Sequence, residues 1–281
     1  MKTKTALIVE GGAMRGIYSA GILDTFLLHQ FNPFDLCIGV SAGASNAAAY
    51  LGNKRGRNHY IYTDYCRRPE FKSFWHFLRG GHLIDIDWLW QITEKELPIG
   101  LDTIFSANTE FLATVTCANT AETQYLAPRR DTLFQLLKAS GNMPFAFRNK
   151  VMHEGKQWFD GGVSDSLPVH EAYRRGARKI LVLRSNPASY QKQSYRINKL
   201  FPLLLRPYPS IARALQQRHI AYNHSLSFIR NPPGDCEIIE ICPDESFAAG
   251  QFTMDLETLE QAYQLGEKDG YVAIRRWQAG D

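Results

Sequence analysis

The stretch Ile38-Gly39-Val40-Ser41-Ala42-Gly43 decides the fold of this chain. The apolar residues 36–38 suit a strand that is buried on both faces. The alanine-rich residues 44–51 suit a helix. Ser41 therefore lies at a strand-to-helix corner with a glycine two residues away on either side, which is the G-x-S-x-G arrangement of a nucleophile elbow.

The two flanking glycines, Gly39 and Gly43, have a steric role in this interpretation. A sharp turn forces the serine into a strained backbone conformation, so its flanks must lack bulk. The exposed hydroxyl then lies close to the positive end of the following helix. An ordinary strand–helix junction also fits these residues, so the motif alone leaves a catalytic and a structural Ser41 both open.

A second glycine motif precedes this one by a single crossover. Residues 5–9 suit a buried strand, Gly11-Gly12 follow it, and apolar residues recur at helical spacing over 17–27. Together with the strand at 36–39 they predict a βαβ unit. Because ligand sites of α/β proteins lie at the carboxyl edge of the sheet, we expect the glycines and Ser41 to be neighbours.

The glycine loop supplies what acyl transfer needs beside a nucleophile. Backbone N–H groups at Gly11, Gly12 and Ala13 are suited to an oxyanion hole. A phosphate loop would need Gly-Lys-Ser/Thr, and the sequence has Met14-Arg15-Gly16 instead. Arg15 either supports the loop or contacts an anionic group of the substrate, and we favour support.

Composition bounds the function classes. The 281 residues are 44% hydrophobic and 21% charged, which is ordinary for a globular protein. A net charge of +4, without a basic run interleaved with aromatics, argues against a nucleic-acid binder. The five cysteines show no CxxC or metal spacing, so we expect free thiols, a reducing compartment, and neither metal nor cofactor.

Hydropathy predicts no signal peptide and no membrane span. The N-terminal apolar run 6–9 is too short for either, and no other stretch reaches ~18 uninterrupted apolar residues. We therefore expect a cytoplasmic protein whose membrane contact, if it has one, is peripheral and on the inner face.

Residues 53–100 are predicted to be largely irregular and aromatic. Within them, 71–90 either pack as a helical layer over the site or form a lid with an interfacial surface. We expect this region to border the entrance and to be more mobile than the sheet, because Gly80-Gly81 interrupt it and it lacks periodicity.

The rest of the chain alternates strands and helices. Strands are predicted at 111–116, 123–126, 151–152, 157–159, 180–183 and 236–242; helices at 133–139, 168–175, 211–229 and 256–277; and a loop at 187–210. At one strand end stands Asp160, followed by Gly161 and Gly162. Asp-Gly is common in turns, so a capping role competes with a catalytic one here.

Four ordered motifs together resemble those of the patatin-like phospholipase family, of the bacterial, single-domain kind. They are Gly11-Gly12-x-x-Arg15-Gly16, Gly39-Val40-Ser41-Ala42-Gly43, Ala139-Ser140 with Pro144 and Phe145, and Asp160-Gly161-Gly162. One residue departs from the pattern: Glu10 stands where the family often has a further glycine.

The resemblance implies a three-layer α/β/α fold with a mainly parallel central sheet. It implies a single catalytic domain over 1–281, with its core motifs in 5–183 and with 184–281 completing the sheet and the helical layer. It implies a serine esterase of lipid degradation, a carboxylic ester hydrolase acting on acyl esters or phospholipids. Ser41 is then the nucleophile, Asp160 its base, and the loop at 11–13 the oxyanion hole, with Arg15, Gly39, Gly43 and Gly161 in support.

Two rival interpretations stay open. A desolvated carboxylate beside Trp158 and Phe159 can act as a base, whereas an α/β-hydrolase would use a Ser-Asp-His triad. Its histidine would be His170, His219 or His224, which all fall in predicted helices rather than in a loop after a strand. The second rival is a non-catalytic lipid-binding or regulatory protein on a hydrolase fold.

Overall fold

The protein is an α/β structure built on one mixed sheet. The computed structural model describes residues 3–72, 79, 82–147, 149–194 and 200–280. Its strands are β1 (Lys4–Val9), β2 (Leu36–Val40), β3 (Glu110–Cys117), β4 (Thr123–Leu126), β5 (Val151–His153), β6 (Lys156–Asp160), β7 (Ala177–Leu183) and β8 (Glu237–Ile241).

The sheet has a parallel centre and an antiparallel edge. Its strand order is β5-β6-β3-β2-β1-β7-β8, and β4 pairs with β3 off this path. Strands β3, β2, β1, β7 and β8 run parallel, whereas β4, β5 and β6 are antiparallel to their neighbours. The expected βαβ unit is confirmed, because β1 and β2 pair directly in parallel.

Helices cover both faces of this sheet. They are α1 (Gly16–Leu28), α2 (Ala42–Leu51), α3 (Arg57–Thr63), α4 (Ile86–Glu96), α5 (Leu101–Ser106), α6 (Leu133–Gly141), α7 (Val169–Arg174), α8 (Phe201–Leu204), α9 (Pro209–Arg230) and α10 (Leu256–Ala279). Leu7 and Val9 of β1 pack with α1, α2 and α10, and the alternating Ala6 and Ile8 pack with α7 and α9. The predicted three-layer α/β/α arrangement is therefore confirmed.

The C-terminal part of the chain is built into the same body as the N-terminal part. Strand β8 pairs with β7, and α10 packs closely along α1. Two glycines allow α1 and α10 to lie this close. A Cβ at Gly21 would overlap the Tyr263 carbonyl oxygen, and a Cβ at Gly266 would overlap the Tyr18 carbonyl oxygen.

Two predictions of irregular structure are wrong in part. Helix α4 lies within the region 53–100, where the Asp85 carboxylate caps it by accepting from the Trp88 amide at 2.9 Å. Its inward positions, such as Trp90 and Thr93, follow helical spacing that the crowd of aromatics obscured. The predicted loop 187–210 likewise contains α8.

Some predictions fall on residues that the structure does not cover. Phe74, Trp75, Phe77, Leu78, Gly80 and Gly81, part of the proposed lid, lie outside the described residues. Within the described ranges, none of the helices combines the length and the hydropathy that a membrane crossing requires.

Candidate active site

Ser41 stands at the corner between β2 and α2 in a strained conformation. Its φ of 54° and ψ of −126° lie in a region that residues other than glycine rarely adopt. A Cβ at Gly39 would overlap the Ala44 backbone, and one at Gly43 would overlap the Val9 carbonyl oxygen. Neither glycine therefore has room for a side chain at this corner.

A buried hydroxyl holds this corner in place. Ser140 Oγ accepts a hydrogen bond from the Ser41 amide at 2.8 Å and donates one to the Thr114 carbonyl at 2.7 Å. Ser140 thereby ties the elbow to β3. The sequence marked the segment around Ser140 but not this role, which depends on contacts between residues 99 and 26 positions apart.

Asp160 ends β6 directly beside the serine. Its carboxylate accepts a hydrogen bond from the Gly162 amide at 2.7 Å, and the Ser41 hydroxyl lies close enough to this carboxylate to lower its pKa by hydrogen bonding. The residue is 2% exposed. Burial raises the pKa of Asp160 above the ordinary aspartate value, against the lowering effects of the Ser41 hydrogen bond, the Arg218 charge and the Gly162 amide.

Gly161 shows why glycine follows this aspartate. A Cβ there would overlap the Thr114 carbonyl group of β3. The turn can therefore press against the strand and bring Asp160 to Ser41 only without a side chain at this position.

The glycine loop lies against the serine, as expected. A Cβ at Gly11 would come within 2.9 Å of the Ser41 Cβ and 2.7 Å of the Val40 carbonyl oxygen. Among the described residues, the amides of Gly11, Gly12 and Ala13 donate to no acceptor. Ala13 adopts a positive φ of 50°. The loop therefore carries three amides without acceptors among the described residues, and its first glycine lies against Ser41.

These groups open into a cavity of about 400 Å³. One end is polar and contains Ser41, Asp160 and the glycine loop. The other end is lined by apolar side chains, among them Ile61, Phe71, Leu83, Ile86, Leu89, Leu137 and Met143. The described part of region 71–90 therefore lines the cavity, and the volume of the cavity suits a small-molecule ligand.

Three cations also line the polar end: Arg15, Lys192 and Arg218. Arg15 follows the glycine loop as predicted, whereas sequence reasoning missed Lys192 and Arg218. Neither belongs to a local motif, since Lys192 lies in the loop after β7 and Arg218 on α9. The positions of Lys192 and Arg218 in the sequence therefore do not indicate that the two side chains meet at the cavity.

Glu10, the departure from the family pattern, lies buried beneath these cations. Its carboxylate accepts from the Ser185 amide at 2.6 Å and from the Tyr222 hydroxyl at 2.9 Å. The Glu10 carboxylate therefore bonds the segment after β7 and helix α9 rather than the Gly11–Ala13 amides.

No described histidine lines the cavity. The His170 ring stacks on that of His224 with centroids 4.6 Å apart, and the His219 Nδ1 atom pairs with the Gln216 carbonyl at 3.0 Å. All three lie on helices, as predicted. In the described ranges, no group of three or more His, Cys, Asp and Glu side chains is placed to hold a metal ion.

Fold and site together define a class: a three-layer α/β/α protein with an elbow serine, a buried aspartate and a glycine loop at one sheet edge. A family model described as Patatin-like phospholipase matches residues 7–173. The chain belongs to the patatin-like phospholipase family, so the resemblance stated from the motifs is confirmed. A second model, a domain of unknown function (DUF6363), matches residues 208–280.

The chain is similar to individual proteins from three organisms. The uncharacterized protein YjjU of Escherichia coli K12 is 34% identical over 274 residues, which cover 95% of this chain and 76% of that protein. The Lysophospholipase NTE1 of Debaryomyces hansenii is 23% identical over 293 residues, covering 97% of this chain and 18% of that protein. Among solved structures, VipD from Legionella pneumophila aligns with a TM-score of 0.49 and 14% identity over 98% of this chain and 67% of its own.

Proposed function

We propose that this protein is a serine acyl hydrolase that cleaves lipid acyl esters with a Ser41–Asp160 dyad. Its family supports lipid acyl hydrolysis in general. The observation that carries the finer proposal is the position of the Ser41 hydroxyl beside the buried Asp160 carboxylate, next to amides that have no acceptor among the described residues. A nucleophile, a base and an oxyanion hole are the three parts that acyl transfer requires.

The first half of the reaction forms an acyl-enzyme. Ser41 Oγ attacks the ester carbonyl carbon while Asp160 takes the hydroxyl proton. The amides of Gly11, Gly12 and Ala13 stabilise the negative charge on the former carbonyl oxygen. One good donor of this kind lowers the activation free energy by about 3–4 kcal/mol. The tetrahedral intermediate then expels the alcohol, which receives its proton from Asp160.

The second half releases the acid. Water attacks the acyl carbon of the ester to Ser41, and Asp160 accepts the water proton. Collapse of this intermediate breaks the bond to Ser41 Oγ, which regains a proton from Asp160. The raised pKa of Asp160 favours both proton transfers, because it brings the base closer to the operating pH.

The apolar end of the cavity is the acyl-chain site in this proposal. Its walls come from α3, α4 and the described part of 71–90, while the C-terminal segment 184–280 closes the polar end through Lys192 and Arg218. The whole chain 1–281 therefore acts as one catalytic unit. NTE1, by its name, is a lysophospholipase, and this agrees with a single-chain ester as substrate.

The cavity rim supports peripheral contact with a membrane on its cytoplasmic side. Phe145 and Phe252 line the cavity and are 38% and 60% exposed. Phe145 stacks on Phe201 of α8 at 6.0 Å, and α8 exposes Leu203 and Leu204. Such an apolar surface suits insertion at the level of lipid headgroups.

Vesicle sedimentation tests the membrane contact. Leu203→Ser with Leu204→Ser should reduce binding to phosphatidylglycerol-containing vesicles, since less apolar surface is left to insert. Ile220→Ser, on the exposed side of α9, is the matched control because Ile220 is 60% exposed. Equal binding by both variants would refute contact through α8.

The hydrolase proposal is tested with purified protein and acyl esters of graded chain length. Ser41→Ala should lose turnover of every ester by about 10³-fold or more, since the nucleophile is gone. Ser45→Ala is the matched control, because Ser45 also lines the cavity on α2. Full activity of Ser41→Ala, or no turnover of any ester by the parent protein, would overturn the proposal.

A further inference from the structure

Three cations converge on the polar end of the cavity from three separate elements. Arg15 comes from the glycine loop, Lys192 from the loop after β7, and Arg218 from α9. Among the described residues, none of the three forms an ion pair within 4.0 Å, although they lie close enough to affect each other electrostatically. Like charges that lie together without an ion-pair partner favour the binding of a ligand of opposite charge.

The two guanidinium groups have unused buried donors. The Nε atoms of Arg15 and Arg218 are buried and have no hydrogen-bond partner in the described part of the chain. An unsatisfied buried donor is costly. Arg184 also has a buried Nε without a partner, but its Nη1 pairs with the Glu240 carboxylate at 2.6 Å, whereas neither Arg15 nor Arg218 has a carboxylate within ion-pair distance among the described residues.

Arg218 is held in place at the catalytic turn. Its Nη2 atom donates to Ser166 Oγ at 3.4 Å. A Cβ at Gly162 would come within 2.9 Å of the same Nη2 atom. The second glycine after Asp160 therefore makes room for a guanidinium, and this places Arg218 beside the reacting groups.

Lys192 is positioned by α9. Its amide donates to Asn223 Oδ1 at 3.0 Å, and Asn223 Nδ2 donates back to its carbonyl at 2.9 Å. The ammonium lies over the Tyr222 ring, 4.8 Å from the centroid. Burial, with the neighbouring Arg218 charge, lowers the pKa of Lys192 to about 7. An anion between the cations would relieve this repulsion.

Glu10 offsets the cluster only in part. Its carboxylate oxygens already accept from Ser185, Asn186 and Tyr222, and no salt bridge joins it to the three cations. The two carboxylates near the three cations are those of Glu10 and Asp160, and both already accept hydrogen bonds from other groups. The arrangement leaves room for the charge of an anionic substrate.

We propose that Arg15, Lys192 and Arg218 form a subsite for the phosphate of a phosphomonoester lipid, a monoacylglycerol phosphate whose ester lies at Ser41. This rests on the proposed hydrolase function and deepens it. A terminal phosphate has three free oxygens, one for each of the three cationic donors, whereas a phosphodiester has only two. It also gives the segment 208–280 a role, since α9 supplies Arg218 and positions Lys192.

The test compares two esters that differ only in the phosphate. kcat/KM is measured for 1-decanoylglycerol 3-phosphate and for 1-decanoylglycerol, with 1-decanoyl-glycerophosphocholine as the phosphodiester. The parent protein should favour the phosphomonoester over both. Lys192→Met and Arg218→Gln should each lower kcat/KM for the phosphomonoester by about 10- to 100-fold relative to the neutral ester.

Matched variants separate this role from a general structural one. Arg213→Gln, an exposed position on the same helix, should leave the ratio of the two kcat/KM values unchanged. Arg218→Lys should restore part of the preference. An equal loss for both esters in Lys192→Met and Arg218→Gln would overturn the subsite, and an equal preference for phosphodiester and phosphomonoester would overturn the choice of head group.

A binding arm works even without turnover. Calorimetry with glycerol 3-phosphate and with inorganic phosphate uses the Ser41→Ala protein. Glycerol 3-phosphate should bind, and Lys192→Met in the same background should abolish this. Binding without ester turnover in the parent would refute the hydrolase and leave an anion site. Turnover without binding or ester preference would refute the subsite alone, and binding of inorganic phosphate only would refute the lipid as its ligand.

Discussion

Two regions meet at the cavity, and they differ in how the sequence encodes them. The region before residue 184 brings Ser41, Asp160 and the glycine loop, each inside a short motif with its own glycines. The segment after it brings Lys192 and Arg218, which stand in no motif. In our proposal the first region carries the groups that make and break bonds, and the second carries the groups that select the substrate.

The difference teaches what each region should do when it is altered. Changes to the first region remove chemistry that every ester needs, so their effect should not depend on the substrate. Changes to the second region should alter the relative rates of charged and neutral esters. A change in either region that behaves like the other would break this division.

The largest effect is expected at the dyad itself. Asp160→Asn keeps the hydrogen bond from the Gly162 amide but removes the base, so turnover of all esters should fall by about 10³-fold or more. Combining it with Ser41→Ala should cost no more than either change alone, because members of one catalytic unit are not additive. Steady-state kinetics on a neutral ester measures all three variants.

A matched control guards this result against loss of folding. Asp165 is a half-buried aspartate whose pKa is also raised by burial, but its carboxylate accepts from the Tyr125 hydroxyl and the Leu167 amide and does not line the cavity. Asp165→Asn should keep its catalytic rate per folded molecule. Additive losses in the double variant would contradict a shared role for Ser41 and Asp160.

A smaller, still substrate-independent effect is expected in the glycine loop. Gly11→Ala would place a methyl group against the Ser41 Cβ and the Val40 carbonyl. The loop must therefore shift, and its amides would no longer be positioned to bind the oxyanion. We expect kcat to fall by about 10²-fold, the size of losing one oxyanion donor. Gly141→Ala is the control, because Gly141 also lines the cavity but a Cβ there meets nothing within 4 Å. Equal activity of the two variants would argue against an oxyanion hole formed by the Gly11–Ala13 loop.

The strands and motifs of the first region follow from local sequence. Alternating or continuous apolar runs predicted β1, β2 and β7, and glycines marked the corners at Ser41 and Asp160. Helix α4 was missed because aromatics on several faces hid its period. Lys192 and Arg218 were missed because only the folding of α9 against β7 brings them to the cavity, and single charges without spacing carry no such information.

The smallest effect sharpens the comparison where the two regions touch. Asp160 must be ionised to act as a base, and burial raises its pKa, so kcat/KM for a neutral ester should fall at a higher pH than an ordinary aspartate would give. The Arg218 charge lowers that pKa. Arg218→Gln should therefore move the acid limb of the pH profile to higher pH, whereas Arg213→Gln should not. A shift of the acid limb to lower pH in Arg218→Gln would contradict the electrostatic effect of Arg218 on Asp160.

The central claim is that Asp160 activates Ser41 without a histidine, and the rate of covalent labelling tests it most directly. A 4-nitrophenyl alkylphosphonate releases nitrophenol as it labels an activated serine, and peptide mass spectrometry locates the label. We predict one label on Ser41, labelling slowed by about 10³-fold in Asp160→Asn, and parental rates in His170→Ala, His219→Ala and His224→Ala. A label on another residue, or a comparable loss in one of the histidine variants, would contradict the account.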